Sequence, residues 1–249
     1  MPTSDKRVTA ATAEVRALVT RLAQAGSAVV SDVLDECGFS TQVLDNAIRR
    51  VDGGAVAVCG PIRCVRGETR VTVQTVAPSD AFLSPYALAG AAEPGAVLVV
   101  ATGVFRGGAI LGGMLAADLA ERGCAGLVTD GLVRDRSELE ALGMMVCSAG
   151  VTPVNGARRW AITELGGSVA LPGQHGGAVL IASGDYVLAD GDGIVVIPRS
   201  IADEVAALAE ELACREAALE CERADRTLEA LAEARKRRFS HIKWLRTSR

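Results

Sequence analysis

The sequence predicts an α/β fold, and three observations carry the prediction. Pro94-Gly95 introduces residues 96–101, a continuous apolar run that suits a strand buried on both faces. A glycine-rich stretch at 107–113 then opens an apolar helix that stops at Arg122-Gly123, and a second β-type run follows at 125–129, so strand, turn, helix and strand alternate as in a parallel-sheet unit. The 249 residues are 49% hydrophobic and 3% aromatic, enough for one sizeable and mostly aliphatic core.

The elements follow in chain order. Residues 1–11 are mostly polar and read as a flexible N-terminus ahead of the main α/β domain at 12–199. Val15, Leu18, Val19 and Leu22 recur at helical spacing up to Gly26, and a second helix begins near Ser27 with Val29, Val30, Val33 and Leu34. Asp32 and Asp35 on it either stay solvated or cap turns. Residues 55–59 and 70–76 read as short strands, broken by Gly60-Pro61 and Gly67. Residues 136–142 look helical, and 144–147 form a strand whose two methionines are core filler. Residues 152–156 are turn chemistry, and Arg158 and Arg159 either face solvent or line an acid pocket. Strands at 179–181 and 186–190 flank a turn, and Gly191-Asp192-Gly193 makes a tight hairpin into 194–197. Asp190 and Asp192 are read there as turn residues rather than cation ligands.

Residues 200–249 form a C-terminal helix and basic tail. Ser200 caps a long helix whose stripe of Ile201, Val205, Leu208, Leu212 and Leu219 continues to Leu228 and Leu231. Arg235-Lys236-Arg237-Arg238, then Lys243 and Arg246, close the chain as a solvated or subunit-bridging face.

Several function classes are disfavoured by composition. A net charge of −4 and the scarcity of aromatics argue against a general nucleic-acid binder. Seven cysteines without a paired CxxC, and only His175 and His241, leave no zinc-site spacing. With no leader and no 18-residue apolar run, the sequence is read as cytoplasmic and without a membrane span. The stretch at 107–113 lacks the Lys-Ser/Thr of a P-loop, the dinucleotide spacing GxGxxG is missing after a strand, and no glycine-rich S-adenosylmethionine loop is seen.

What the central stretch offers instead is a small-anion site with a metal ligand beside it. Backbone N–H groups at Gly112, Gly113, Met114 and Leu115 open the helix and would hold a carboxylate, aided by the helix dipole. Arg134 brings a planar fork that matches a carboxylate with two parallel hydrogen bonds, and Asp135 a hard oxygen for Mg²⁺ or Mn²⁺. Together these suit a 2-oxo acid chelated through its carboxylate and keto oxygens. Spacing alone also allows a packed α/β turn with a surface salt bridge.

The stretch resembles the RraA-like family, which includes the class II 4-hydroxy-4-methyl-2-oxoglutarate/4-carboxy-4-hydroxy-2-oxoadipate aldolases and the RraA regulators of RNase E. The likeness extends from about residue 29 to 205. Ser31-Asp32-Val33-Leu34-Asp35 is similar to the family's "SDALD", Val58-Cys59-Gly60-Pro61 to its "GPA" strand, and Glu93-Pro94-Gly95-Ala96-Val97-Leu98-Val99-Val100 to "PGDVLVVD". The run from Ser183-Gly184-Asp185 through Asp190-Gly191-Asp192-Gly193 to Pro198 is similar to "PGDxVxADxDGVVVIP".

The resemblance implies a swivelling α/β/β/α domain of the RraA-like type, a homotrimer or hexamer with the site at a subunit boundary, and a small-molecule 2-oxo acid as ligand. It implies a divalent-metal-dependent lyase: retro-aldol release of pyruvate, oxaloacetate decarboxylation, or both. Asp135 would hold Mg²⁺ or Mn²⁺, with Arg134 as the catalytic and substrate-binding cation. Family aldolases carry Asp-x20-Arg-Asp, and here the first position falls on Gly113. A glycine cannot transfer a proton through a side chain, so the proton-transfer group is unassigned. Two alternatives follow: a non-catalytic regulator that binds a ribonuclease, or a specialised lyase or isomerase that has lost the usual acid at Gly113.

Overall fold

In the computed structural model the described residues are 4–70, 83–223 and 227–245, with side chains from residue 13 onward. The elements run α1 (Ser4–Glu36), β1 (Arg49–Arg50), β2 (Val58–Thr69), a 3-10 turn (Pro85–Ala87), α2 (Leu88–Ala91), β3 (Val97–Ala101), β4 (Ala109–Leu111) and α3 (Gly113–Glu121). They continue with β5 (Gly126–Thr129), β6 (Leu132–Val133), α4 (Arg136–Leu142), β7 (Met145–Ser148), β8 (Trp160–Leu165), β9 (Ser168–Pro172), β10 (Ala178–Ala182), β11 (Tyr186–Ala189), β12 (Ile194–Ile197), α5 (Ala202–Cys221) and α6 (Leu228–Arg237).

The main sheet has the order β1-β7-β5-β3-β2-β11-β12, with β8 also paired to β2. Its centre is parallel: β2 with β3, β3 with β5, and β5 with β7. All five residues of β3 are buried, as a doubly covered strand requires. Because side chains alternate, Leu98 and Val100 face one core together with residues of α3 and α4, while Val97, Val99 and Ala101 face another closed by the β9–β10 hairpin. A third core sets Leu22, Val30, Val205 and Leu212 of α1 and α5 against Leu188 and Ile197. The curled sheet thus has helices outside on both flanks and an apolar interior between its walls, an α/β/β/α arrangement with a C-terminal helix.

Several local expectations are corrected. The stretch expected to be loose before residue 12 is helical from Ser4, in line with the absence of glycine and proline between residues 3 and 25. The boundary expected at Gly26 between two helices is present as a kink within α1, at φ 80° and ψ 161°. Gly60-Pro61 and Gly67, by contrast, do not break β2. A Cβ at Gly67 would lie 2.1 Å from the Trp160 ring, so glycine there admits the buried indole beside a register shift at Arg66/Gly67. Of the strand expected at 70–76, all but Arg70 lies outside the described residues.

Ser200 is not the cap of α5. A 3-10 turn (Arg199–Ile201) leads from β12, and the N-cap position is Ile201, with no side-chain hydrogen bond. The C-terminal stripe belongs to α5 and α6 in succession, with Thr227 Oγ1 accepting from Ala230 N at the start of α6. The basic cluster is partly turned inward: Arg238 Nε bonds Glu216 at 3.0 Å, its Nη2 lies 3.7 Å from Asp32, and its guanidinium stacks over Phe239.

Candidate functional site

The site lies beyond the carboxyl ends of the parallel strands, where such sheets commonly bind ligands. Asp130 follows β5, is buried, and accepts hydrogen bonds from Thr102 N at 2.7 Å, Thr102 Oγ1 at 2.8 Å and Val104 N at 2.7 Å. It thereby fixes the loop after β3 and holds Val104 at φ 60°, a strained value for a β-branched residue. The chain then forms β4, which pairs with β6 in parallel, and Arg134 N donates to Leu111 O at 3.0 Å. Two strands too short to show in a hydropathy pattern therefore bring Gly112 and Arg134 side by side.

Gly112 is the extended N-cap of α3, and Ala116 N makes the bond back to its carbonyl at 2.9 Å. The amides of Gly113, Met114 and Leu115 precede that bond. Gly113 N donates to Asp135 Oδ2 at 3.1 Å, so this amide is used inside the protein rather than offered to a ligand. Gly112, Met114, Leu115 and Arg134 line one shallow cleft of about 40 Å³. Gly113 is buried behind it.

Asp135 occupies the N-cap of α4 in the left-handed conformation, φ 61° and ψ 45°, yet its carboxylate makes no capping bond to its own helix. It reaches to the start of α3 and lies 3.3 Å from Arg134 Nε. A non-glycine residue in this conformation carries strain, and an N-cap carboxylate turned away forgoes about 1 kcal/mol of helix capping. Arg134 and Asp135 are each about one-third exposed, which leaves both open to a ligand.

The paired glycines permit this approach. A Cβ at Gly112 would stand 2.8 Å from both Arg134 Nε and Asp135 Oδ2. At Gly113 it would stand 1.7 Å from Glu138 Oε2. The Glu138 carboxylate thus occupies the place a side chain at 113 would take. Sequence reasoning missed it by looking for an acid at position 113 itself. The available signal was that Glu138 lies three residues after Asp135, one helical turn into α4.

Among the described residues no group of three or more His, Cys, Asp or Glu could hold a metal. Asp135 supplies one hard carboxylate oxygen with spare acceptor capacity, which fits an ion that keeps water and substrate oxygens in its remaining positions. Arg158 and Arg159 are exposed and do not line the cleft; Arg159 Nη1 donates to Asn155 O at 3.0 Å. Asp190 accepts Ser27 N at 2.8 Å, Ser27 Oγ at 2.6 Å and Asp192 N at 3.0 Å, which makes it the anchor of the α1 kink. Five cysteines are buried and Cys214 and Cys221 exposed; all seven are free. No helix among the described residues is long and apolar enough to cross a membrane.

Comparison with known proteins supplies a second line of observation. The family model described as RraA-like, Aldolase/RraA, matches residues 27–196. A protein of Alkalilimnicola ehrlichii provisionally named 4-hydroxy-4-methyl-2-oxoglutarate aldolase is 33% identical over 175 residues, 70% of this chain and 98% of that one. The 4-hydroxy-4-methyl-2-oxoglutarate aldolase of a Thermus thermophilus strain is 36% identical over 105 residues, 42% of this chain and 60% of that one. Among solved structures, Streptomyces coelicolor RraAS2, described as an unusual member of the RNase ES inhibitor RraA protein family, superposes with a TM-score of 0.68 at 30% identity, over 84% of this chain and 98% of that one.

Proposed function

The chain belongs to the RraA-like family, and from that premise we propose that it is a divalent-metal-dependent lyase acting on a 2-oxo acid. The reaction is retro-aldol release of pyruvate from a 4-hydroxy-4-methyl-2-oxoglutarate-like substrate, decarboxylation of oxaloacetate, or both. The observation that carries this reading is the Asp135 carboxylate: it leaves its own helix uncapped and stands open beside Arg134 and the N-terminus of α3. The aldolase names of two relatives support it.

In this reading the amides of Met114 and Leu115, together with Arg134, bind the substrate's C1 carboxylate. Asp135 is the residue that would hold Mg²⁺ or Mn²⁺, the remaining positions being left to water and substrate oxygens. When bound, the ion supplies Lewis-acid polarisation of the C2 carbonyl. Glu138, in the place of the missing acid at 113, accepts the proton of the C4 hydroxyl. The C3–C4 bond breaks to leave an aldehyde or ketone, its electron pair moves toward the C2 oxygen, and a proton returned to C3 yields pyruvate. Arg134 stabilises the negative charge that develops, a contribution of about 3 kcal/mol for a well-placed donor.

The same reading carries a homotrimer or hexamer in the cytoplasm. The exposed Tyr86, Val104 and Met114 support a subunit boundary near the site, and the free cysteines support a reducing compartment. A second reading, a regulator that binds a ribonuclease without turnover, rests on the likeness to RraAS2. The deciding experiment measures pyruvate release from oxaloacetate and a panel of 4-hydroxy-2-oxo acids, with Mg²⁺ or Mn²⁺ and with EDTA, for the native protein, Arg134→Ala and Asp135→Ala. Metal-dependent release lost in both variants is the expected result. Folded protein that releases no pyruvate from any member of the panel would rule the lyase out.

A further inference from the structure

One side of α5 faces solvent with unusually small side chains. Val205, Ala209 and Leu212 turn into the third core, and on one flank Arg21 of α1 holds Glu210, Nε to Oε1 2.7 Å. Away from that core, Cys214, Ala217, Ala218 and Cys221 recur at intervals of three, four and seven residues, and all four are exposed. On the other flank α6 leaves a groove of about 520 Å³ against α5, whose apolar part is Ala218, Leu219, Ala230 and Ala234. This face belongs to the β11 and β12 flank of the sheet, a different flank from that of α3 and the cleft.

The charges around the groove are balanced pair by pair. Arg215 Nη2 lies 2.6 Å from Glu211 Oε1, and Arg237 Nη2 lies 3.0 Å from Glu233 Oε1. Such a rim has no excess charge to draw a polyanion or a polycation, whereas a surface of alternating sign is its own complement. Arg215 and Glu222 both border the groove, seven residues apart and opposite in sign. A second α5 laid antiparallel on the first, about a two-fold axis near Ala217 and Ala218, brings Arg215 beside the partner's Glu222 at each end. The same rotation sets Cys214 opposite the partner's Cys221. Small residues at the crossing let the helix axes approach to about 8 Å.

We propose that the outer face of α5 is a two-fold, antiparallel interface with a second copy of this chain. The charge pattern selects that occupant, because the signs at 215 and 222 match only when the same helix returns in the opposite direction. The two cysteines report on it. Within one chain they are two helical turns and about 10.5 Å apart, beyond the limit of about 7 Å between the Cα atoms of a disulfide, so a bond between them joins two chains. The interface is independent of the lyase reading, since none of its residues lines the cleft.

The test uses the full-length protein in two measurements. In sedimentation, Ala217→Arg, a change at an exposed position, should halve the particle mass relative to the native protein while the thermal melt of the fold is unchanged. In the second, diamide, an azo oxidant that takes one hydrogen from each of two thiols as one S–S bond forms, should convert the native protein to a covalent dimer on a non-reducing gel. Each Cys214 meets only a Cys221, so Cys214→Ser and Cys221→Ser should each abolish the dimer, and an equal mixture of the two variants should restore it. A covalent dimer in either variant alone would mean parallel or collisional contact. An unchanged mass in Ala217→Arg would mean that solvent or an unrelated partner covers the face. Either result overturns the proposal, as does a native protein that forms no covalent dimer.

Discussion

Asp135 and Asp190 invite comparison because each follows a strand and each reaches a backbone N–H at the start of a helix elsewhere in the chain. Asp190 is filled: Ser27 donates through its amide and hydroxyl, and Asp192 N adds a third bond. Burial by itself pushes the Asp190 carboxyl up, but the Ser27 hydrogen bonds outweigh it and hold the group below the usual carboxylate range. Asp135 accepts one amide at 3.1 Å and has a guanidinium nitrogen at 3.3 Å, which leaves acceptor capacity unused. The two residue types are identical, and the spare lone pairs set Asp135 apart as the carboxylate with room for a further partner.

The sharpest way to break the comparison is to remove each carboxylate in turn. Asp135→Asn should lower kcat/KM for pyruvate release by about 10³-fold or more, with the urea midpoint nearly unchanged. A stability loss as large as the activity loss would show that Asp135 is an anchor too. Next in size is Glu138→Gln, for which steady-state kinetics should show a fall of about 10²-fold in kcat, the range of a lost general base. Gly113→Ala should produce a similar fall, since its Cβ displaces the Glu138 carboxylate. Normal kcat in both variants would remove Glu138 from the chemistry.

Asp190→Ala should act in the opposite column, lowering unfolding free energy by about 2–3 kcal/mol in urea titration while the folded fraction keeps its kcat. The smallest effect is in pH. Because the folded carboxyl of Asp190 titrates below the ordinary aspartate value of 3.8, its stabilisation is present above that value and is lost as pH falls through the folded pKa. The gap in urea midpoint between native protein and Asp190→Asn should therefore persist from pH 7 to about pH 4.5 and narrow below about pH 4. A gap that stays constant down to pH 3 would mean that the charge of Asp190 contributes nothing.

Much of the fold was legible because one kind of contact dominates it. The buried run of β3, the glycine stop after α3 and the Asp-Gly hairpin before β12 announce themselves through burial and turn geometry. β4 and β6 were not legible, since three- and two-residue strands have no measurable period. β8 and β9 were missed as well, because both are short and Gly166-Gly167 between them reads as turn chemistry. In the candidate site, Gly112, Arg134 and Asp135 could be named from one stretch of chain. Glu138 could not, because a count of positions between motif residues carries no direction, and the filling of the space above Gly113 is visible only with both helices in place.

That space admits one carboxylate between α3 and α4. A Cβ at position 113 and the Glu138 oxygen would be 1.7 Å apart, so an acid on either helix excludes the other from the same spot. An acid introduced at position 113 would therefore have to push the Glu138 carboxylate out toward water. Positions 113 and 138 are thus coupled through one volume, and a change at either alters what the other can hold.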